Sequence, residues 1–244
     1  MIINKRLFLF VILTIIVQVI TINNFNAIYT SFPFLDGVPI TSSYALENQY
    51  FIYWYLPIVG MSFYFSGYLS DELQTYGKIL FTRNYSRKKW VIKRYLSLII
   101  VLSLFIIVQL ISFNFLLEDT SFIILSQEKI IILLVMYFLT LLTLFSIQLL
   151  LELYMTPQLS QLVINAYIVV SVLITKQLFT IGAPKFIYYF FLPNYGMGFK
   201  TNSSNIPQFQ NEVVNYTIGF LILLILLASV LLFTIAKVKK MDIL

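Results

Sequence analysis

The chain has 244 residues, of which 60% are hydrophobic and only 11% charged, and its mean hydropathy is +0.90. A soluble domain carries about a quarter charged residues, so this composition excludes a water-soluble monomer and, by the same arithmetic, a disordered chain. The sequence holds no cysteine and no histidine, which removes disulfides, thiolate metal sites, His-dependent triads and His-ligated metals.

A membrane-crossing helix needs about 20 mostly apolar residues. Six segments meet that need, near Leu7–Ala27, Gln49–Leu69, Val91–Phe113, Ile130–Leu151, Gln161–Ile181 and Val213–Ala236. The expected fold is therefore all-α: one polytopic membrane domain of six spans over residues 1–244. The second span contains Pro57, Gly60 and Gly67, which membrane helices tolerate. The fifth carries Gln161, Asn165 and Lys176 and is the most polar. Met1–Arg6 precede the first span, so a leading helix is expected to be missing or very short.

Charge sets the orientation. Lys5 and Arg6, then Lys78, Arg83, Arg87, Lys88, Lys89, Lys93 and Arg94, then Lys237, Lys239 and Lys240 all fall on one side of a six-span chain. The positive-inside rule makes that side cytoplasmic, with both termini inside. Asp36, Glu47, Glu118, Asp119, Glu128 and Glu212 fall on the other. The net charge of +6 thus reads as topology, and no nucleic-acid partner is expected.

Between spans two and three, Ser70 is expected to cap a short helix whose first turn holds Asp71 and Glu72. Leu73, Tyr76, Gly77 and Leu80 share one face by their spacing. Asn84-Tyr85-Ser86 reads as a break, and Ser86 as the cap of the next helix. A basic run follows and ends in Trp90, an interfacial aromatic. The segment 70–90 is either a solvated topology signal or a docking surface for a cytoplasmic partner. The second turn on this side has Thr156 as an N-cap and Pro157 as the first helical residue of span five.

On the far side, the 182–212 segment is long. Pro184 and Pro193 bracket a run containing Phe186, Tyr188, Tyr189 and Phe190 that is too short to span and reads as interfacial or re-entrant. Inside the spans, Thr14, Gln18 and Thr21 share a face, as do Gln158, Gln161 and Asn165, while Gln148 and Glu152 lie four apart. Polar groups in lipid must find partners. These faces either bond other helices or line a path, for which Gln18, Gln148, Gln161 and Asn165 are the candidates. No P-loop, GxGxxG, HExxH or nucleophile elbow occurs. The chain is not expected to be an enzyme, nor to hold a metal or a cofactor of its own.

The layout resembles an ABC-2-type transporter permease. It is similar to the small permeases of Gram-positive bacteriocin and lantibiotic immunity systems and of amphipathic toxin-peptide exporters. The local match is Tyr76-Gly77, Arg83, Ser86-Arg87-Lys88-Lys89-Trp90 and Arg94. The resemblance implies that Leu73, Tyr76, Gly77, Leu80, Arg83, Arg87, Lys88 and Trp90 dock on a separate ATPase subunit, where ATP and Mg are held. It implies a second permease copy or paralogue, an extracellular gate at Phe186, Tyr188, Tyr189 and Phe190, and export of membrane-active or toxin peptides across the bilayer of a bacterial cell membrane. A stand-alone membrane immunity or interaction protein and a non-ABC six-span transporter are the alternatives.

Overall fold

In the computed structural model, residues 5–23, 30, 32–77, 86–116 and 127–241 are described. Among them are six long helices: α1 (Lys5–Asn23), α2 (Tyr44–Phe65), α3 (Arg87–Leu116), α4 (Gln127–Leu151), α5 (Pro157–Ile181) and α6 (Tyr216–Lys240). The described residues contain no strand. Four helices are long and apolar enough to cross a membrane: α3, α4, α5 and α6. Leu7–Ile22 of α1 is a shorter apolar helix. Helix α2 has 22 residues but is rich in Tyr, Trp and polar side chains, which lowers its hydropathy while suiting it to burial. Tyr50, Tyr53 and Trp54 are all within the core.

Helix boundaries differ from the expected spans in an instructive way. Helix α2 begins at Tyr44 and not Gln49, with the Ser43 hydroxyl accepting from the Leu46 N–H. Glu47 can lie inside it because Lys176 of α5 pairs with its carboxylate. Helix α5 begins as expected, with Thr156 capping and Pro157 in the first turn. Helix α6 is capped by Asn215, whose side-chain oxygen accepts from the N–H groups of Thr217 and Ile218.

Helix α4 is the hub and packs against α2, α3, α5 and α6. Helix α1 lies against α2 and α3, and α3 also meets α6. The basic end of the bundle holds the Ser66–Gly77 turn, the start of α3 and the end of α6. Arg87 joins the last two by donating to the carbonyls of Val238, Lys239 and Met241 at 3.2, 2.9 and 2.7 Å.

The opposite end is a folded cap. It is built from residues 32–43 and the 182–215 segment, which contains short 3-10 turns at Lys185–Phe190, Leu192–Gly196 and Pro207–Phe209. The two pieces are pinned by backbone bonds from Gly198 N–H to the Leu35 carbonyl (2.9 Å) and from Phe199 N–H to the Asp36 carbonyl (3.0 Å). Gly37 makes this possible. Its φ of +75° and ψ of −138° belong to a region open essentially to glycine alone, and an added Cβ would lie 2.4 Å from Met197 Cγ.

Candidate functional site

Two polar assemblies occupy the bundle. The first lies toward the basic end, between α2, α4 and α5. Ser62 of α2 donates its hydroxyl to Gln148 Oε1 (3.1 Å), and Gln148 Nε2 returns a bond to the Ser62 carbonyl (2.9 Å). Asn165 of α5 donates to Ser62 Oγ at 2.8 Å and to the Gln161 carbonyl at 2.9 Å. The Tyr55 hydroxyl completes the set by donating to Asn165 Oδ1 at 2.9 Å. Three helices are thereby tied through neutral side chains. Gln148 and Gln161 are buried and Asn165 is half-buried.

One turn beyond Gln148, Glu152 extends this assembly into the loop that follows α2. Its carboxylate accepts from the backbone N–H groups of Gly67 (3.0 Å), Leu69 (3.1 Å) and Ser70 (3.5 Å). The helical turns at Ser70–Gly77 leave orphan N–H groups at their start, where the backbone dipole favours negative charge. Glu152, just past the end of α4, supplies the acceptor. Ser70, expected as the cap, is instead inside the turn with Leu69 before it. Burial pushes the Glu152 carboxyl up to about 7, against the pull of those three N–H groups.

The expected docking residues divide. Leu73, Gly77 and Trp90 are buried within the chain. Trp90, expected at an interface, instead lies under the Arg94 guanidinium, 5.5 Å from its ring centroid, and Arg94 also pairs with Glu72. Leu73 faces inward because Glu152 draws the turn onto the bundle. Arg87 is occupied with the end of α6. Lys88 is exposed, as are Asp71, Gln74 and Thr75. Tyr76 lies on the backbone of the Leu73–Gly77 turn. Leu80 and Arg83 lie outside the described residues.

Gln18 belongs to a separate contact. It is buried, and Gln109 of α3 donates to its Oε1 at 3.1 Å. Thr14 and Thr21 bond back to carbonyls of their own helix.

The second assembly is the cap and the segment beneath it. After Ile181 the chain doubles back along α5. The Tyr167 hydroxyl donates to the Phe190 carbonyl (2.7 Å) and accepts from the Leu192 N–H (2.9 Å). Tyr167 precedes the end of α5 by 14 positions, about 21 Å at 1.5 Å per residue. Asn194 then bonds Thr175 (2.9 Å), and Gly196 lies against Thr140 near the middle of α4, with an added Cβ 3.2 Å from the threonine Cβ. Of the four gate candidates, Phe186 and Phe190 are 66% and 73% exposed, while Tyr188 is buried. The Tyr189 hydroxyl accepts from the Asn215 N–H, and its ring meets Tyr195.

Two buried ionisable residues in the cap were not singled out by sequence. Asp36 and Lys200 are each 1% exposed. Asp36 bonds Thr30, and burial lifts its carboxyl to about 7 while the Thr30 and Ser204 hydroxyls pull it back. Lys200 donates to Asn194 Oδ1 at 3.0 Å, and burial lowers its ammonium to about 7 against the attraction of Glu47. The only sequence signal was their position: lone charges among aromatics and glycines. Among the described residues no group of acidic side chains is arranged to hold a metal ion.

With this geometry in hand, comparison with known proteins is informative. A family model described as "Protein of unknown function (DUF2705)" matches residues 11–244. The chain belongs to the DUF2705 family. It is 35% identical over 239 residues to the "Uncharacterized protein YybK" of Bacillus subtilis (strain 168), covering 96% of this chain and 95% of that one. No solved structure matches it. The DUF2705 match takes in both polar assemblies, from Gln18 to Lys200, and every helix except the first turns of α1.

Proposed function

We propose that this DUF2705 chain is the transmembrane subunit of an ATP-driven exporter of the ABC-2 type. In this reading six helices cross a bacterial cell membrane with the basic end and both termini in the cytoplasm. ATP and Mg are bound and hydrolysed in a separate ATPase subunit. A second copy or paralogue of the chain completes the pathway, and the cargo is a membrane-active or toxin peptide, moved out for export or self-protection.

The observation that carries the reading is the placement of two non-membrane elements. A folded turn between α2 and α3 is fastened to the hub helix, and a segment between α5 and α6 doubles back along α5 to reach α4. A transporter driven from one side needs a handle at that side and a closure at the other. Docking rests on the exposed Asp71, Gln74, Thr75 and Lys88 together with Tyr76, Leu80 and Arg83. Closure rests on Phe186, Tyr188, Tyr189 and Phe190, and the peptide's route passes Gln161 and Asn165.

The deciding experiment is co-purification of the chain from its native cells, with the recovered material tested for an ATPase subunit. Stoichiometric recovery, and ATP hydrolysis that responds to peptide, are the expected results. A chain that recruits no ATPase is the immunity protein or unrelated carrier named above. Orientation is checked separately by single cysteines at Asn84, Asn202 and Met241 in this cysteine-free chain. Only Asn202, exposed in the cap, should react with an impermeant outside reagent.

A further inference from the structure

We infer that Glu152 is the joint that fastens the loop after α2 to the hub helix, so that displacement of the loop is passed to α4 and on to the doubled-back segment. The functional half of this inference rests on the exporter reading. The fastening itself rests on geometry alone.

Three backbone N–H groups within four residues converge on one carboxylate at the end of α4. Such convergence is a clamp on main chain, not a contact between mobile side-chain tips. Hydrogen bonds to a charged group are stronger than neutral ones, and main-chain donors cannot swing away. The loop is shaped to meet the carboxylate. Gly67 adopts φ +78°, a left-handed turn that presents its N–H, and an added Cβ there would lie 2.2 Å from Asp71 Oδ2.

The clamp sits at the end of a stiff element. Gln148 binds Ser62 one turn earlier, so the last turns of α2, the loop and the end of α4 form one body. Helix α4 continues from Glu152 to Thr140, where the backbone of Gly196 rests on it. Helix α4 thus runs from the clamp to this close approach. Leu73 and Trp90 are buried, and Arg94 pairs with Glu72 and lies over the Tyr68 and Trp90 rings, which ties the loop to the start of α3 as well.

The test uses the full chain in lipid nanodiscs, with wild type, Glu152→Ala and Glu152→Gln compared by hydrogen–deuterium exchange. In Glu152→Ala, exchange in the peptide covering Gly67–Ser70 should rise by about tenfold or more. Glu152→Gln keeps the shape and one acceptor oxygen and should fall between. Exchange in the cap peptide around Gly198–Ser204 should be unchanged, which shows that the variants fold. Unchanged exchange at Gly67–Ser70 in Glu152→Ala overturns the inference, whether or not an ATPase binds. The second arm adds the ATPase. Wild type and Glu152→Gln should recruit it equally, while peptide-stimulated hydrolysis is lost in the variant. Faster exchange with stimulation intact overturns the transmission step. A wild-type chain that recruits no ATPase refutes the exporter reading while the exchange result still decides the clamp.

Discussion

At the basic end, one buried carboxylate is met by three main-chain donors, and the polar side chains behind it are neutral and mutually paired. At the cap end, Asp36, Lys200 and Glu47 are ionisable residues taken out of water, and Glu47 pairs with the nearly buried Lys176. Neutral networks lose little when one member goes, because the remaining groups re-pair. In a buried ion pair, removing one member leaves the other stranded. The basic end is thus tied together through shared bonds, and the cap end is held by specific pairings.

The sharpest break in this comparison is Lys176→Met. It leaves Glu47, whose side chain is 8% exposed, without its ion-pair partner, at a cost of about 3–5 kcal/mol for a buried pair. Thermal unfolding in detergent should show the loss. The Glu47→Gln/Lys176→Met double variant should recover most of it. If the single variant is as stable as wild type, the pair is solvated and the contrast between the ends fails.

Next come the two glycines. Gly37→Ala forces a side chain into a glycine-only region and against Met197 Cβ and Cα at 2.7 and 3.2 Å, so backbone must shift. A loss of about 2–4 kcal/mol is expected. Gly67→Ala meets only the carboxylate of Asp71, which can rotate aside, and should cost about 1–2 kcal/mol. The order of the two melting temperatures is the check.

The third prediction is pH dependence. Asp36 is raised from 3.8 to about 7, so the folded cap holds a proton that the unfolded chain has lost. Cap stability should fall as pH rises from about 4 to 7. Lys200 is lowered from 10.5 to about 7, so stability should rise again from about 7 to 10. Protection in the cap peptides, taken relative to the intrinsic exchange rate at each pH, should therefore be lowest near neutral pH. Asp36→Asn should remove the lower limb and Lys200→Met the upper. At the basic end Glu152, also raised to about 7, contributes only a falling limb between about 4.5 and 7. Identical profiles at the two ends would erase the distinction.

The helical order, the cap at Thr156 and the shared face of Gln161 and Asn165 were legible in the sequence, because each depends on residues a few positions apart. What was not legible depends on partners far along the chain. Glu47 and Lys176 are 129 positions apart, and each alone reads as a flaw in an apolar helix. Trp90 and Leu73 read as surface residues because an amphipathic stripe says which residues share a face, not whether that face turns to a partner or back onto its own bundle. Ser70 was a plausible cap until a carboxylate 82 positions away took its place.

The smallest expected effect is Asn165→Ala, and it separates two roles for the same residue. Each partner that Asn165 leaves behind keeps another bond. Tyr55 OH can still donate to the backbone carbonyl of residue 165, now 3.4 Å away, and Ser62 retains Gln148 in both directions. A hydrogen bond between membrane helices contributes about 0.6 kcal/mol, and here even that is partly recovered, so the melting temperature should move by a degree or two at most. Ser62→Ala should cost more, since it removes the hydroxyl that joins Gln148 to Asn165. If Asn165→Ala leaves stability intact but abolishes the peptide export proposed above, the half-buried amide serves that proposed route and not the packing. If it costs as much as Ser62→Ala, the neutral network has no slack, and the basic end is as brittle as the cap.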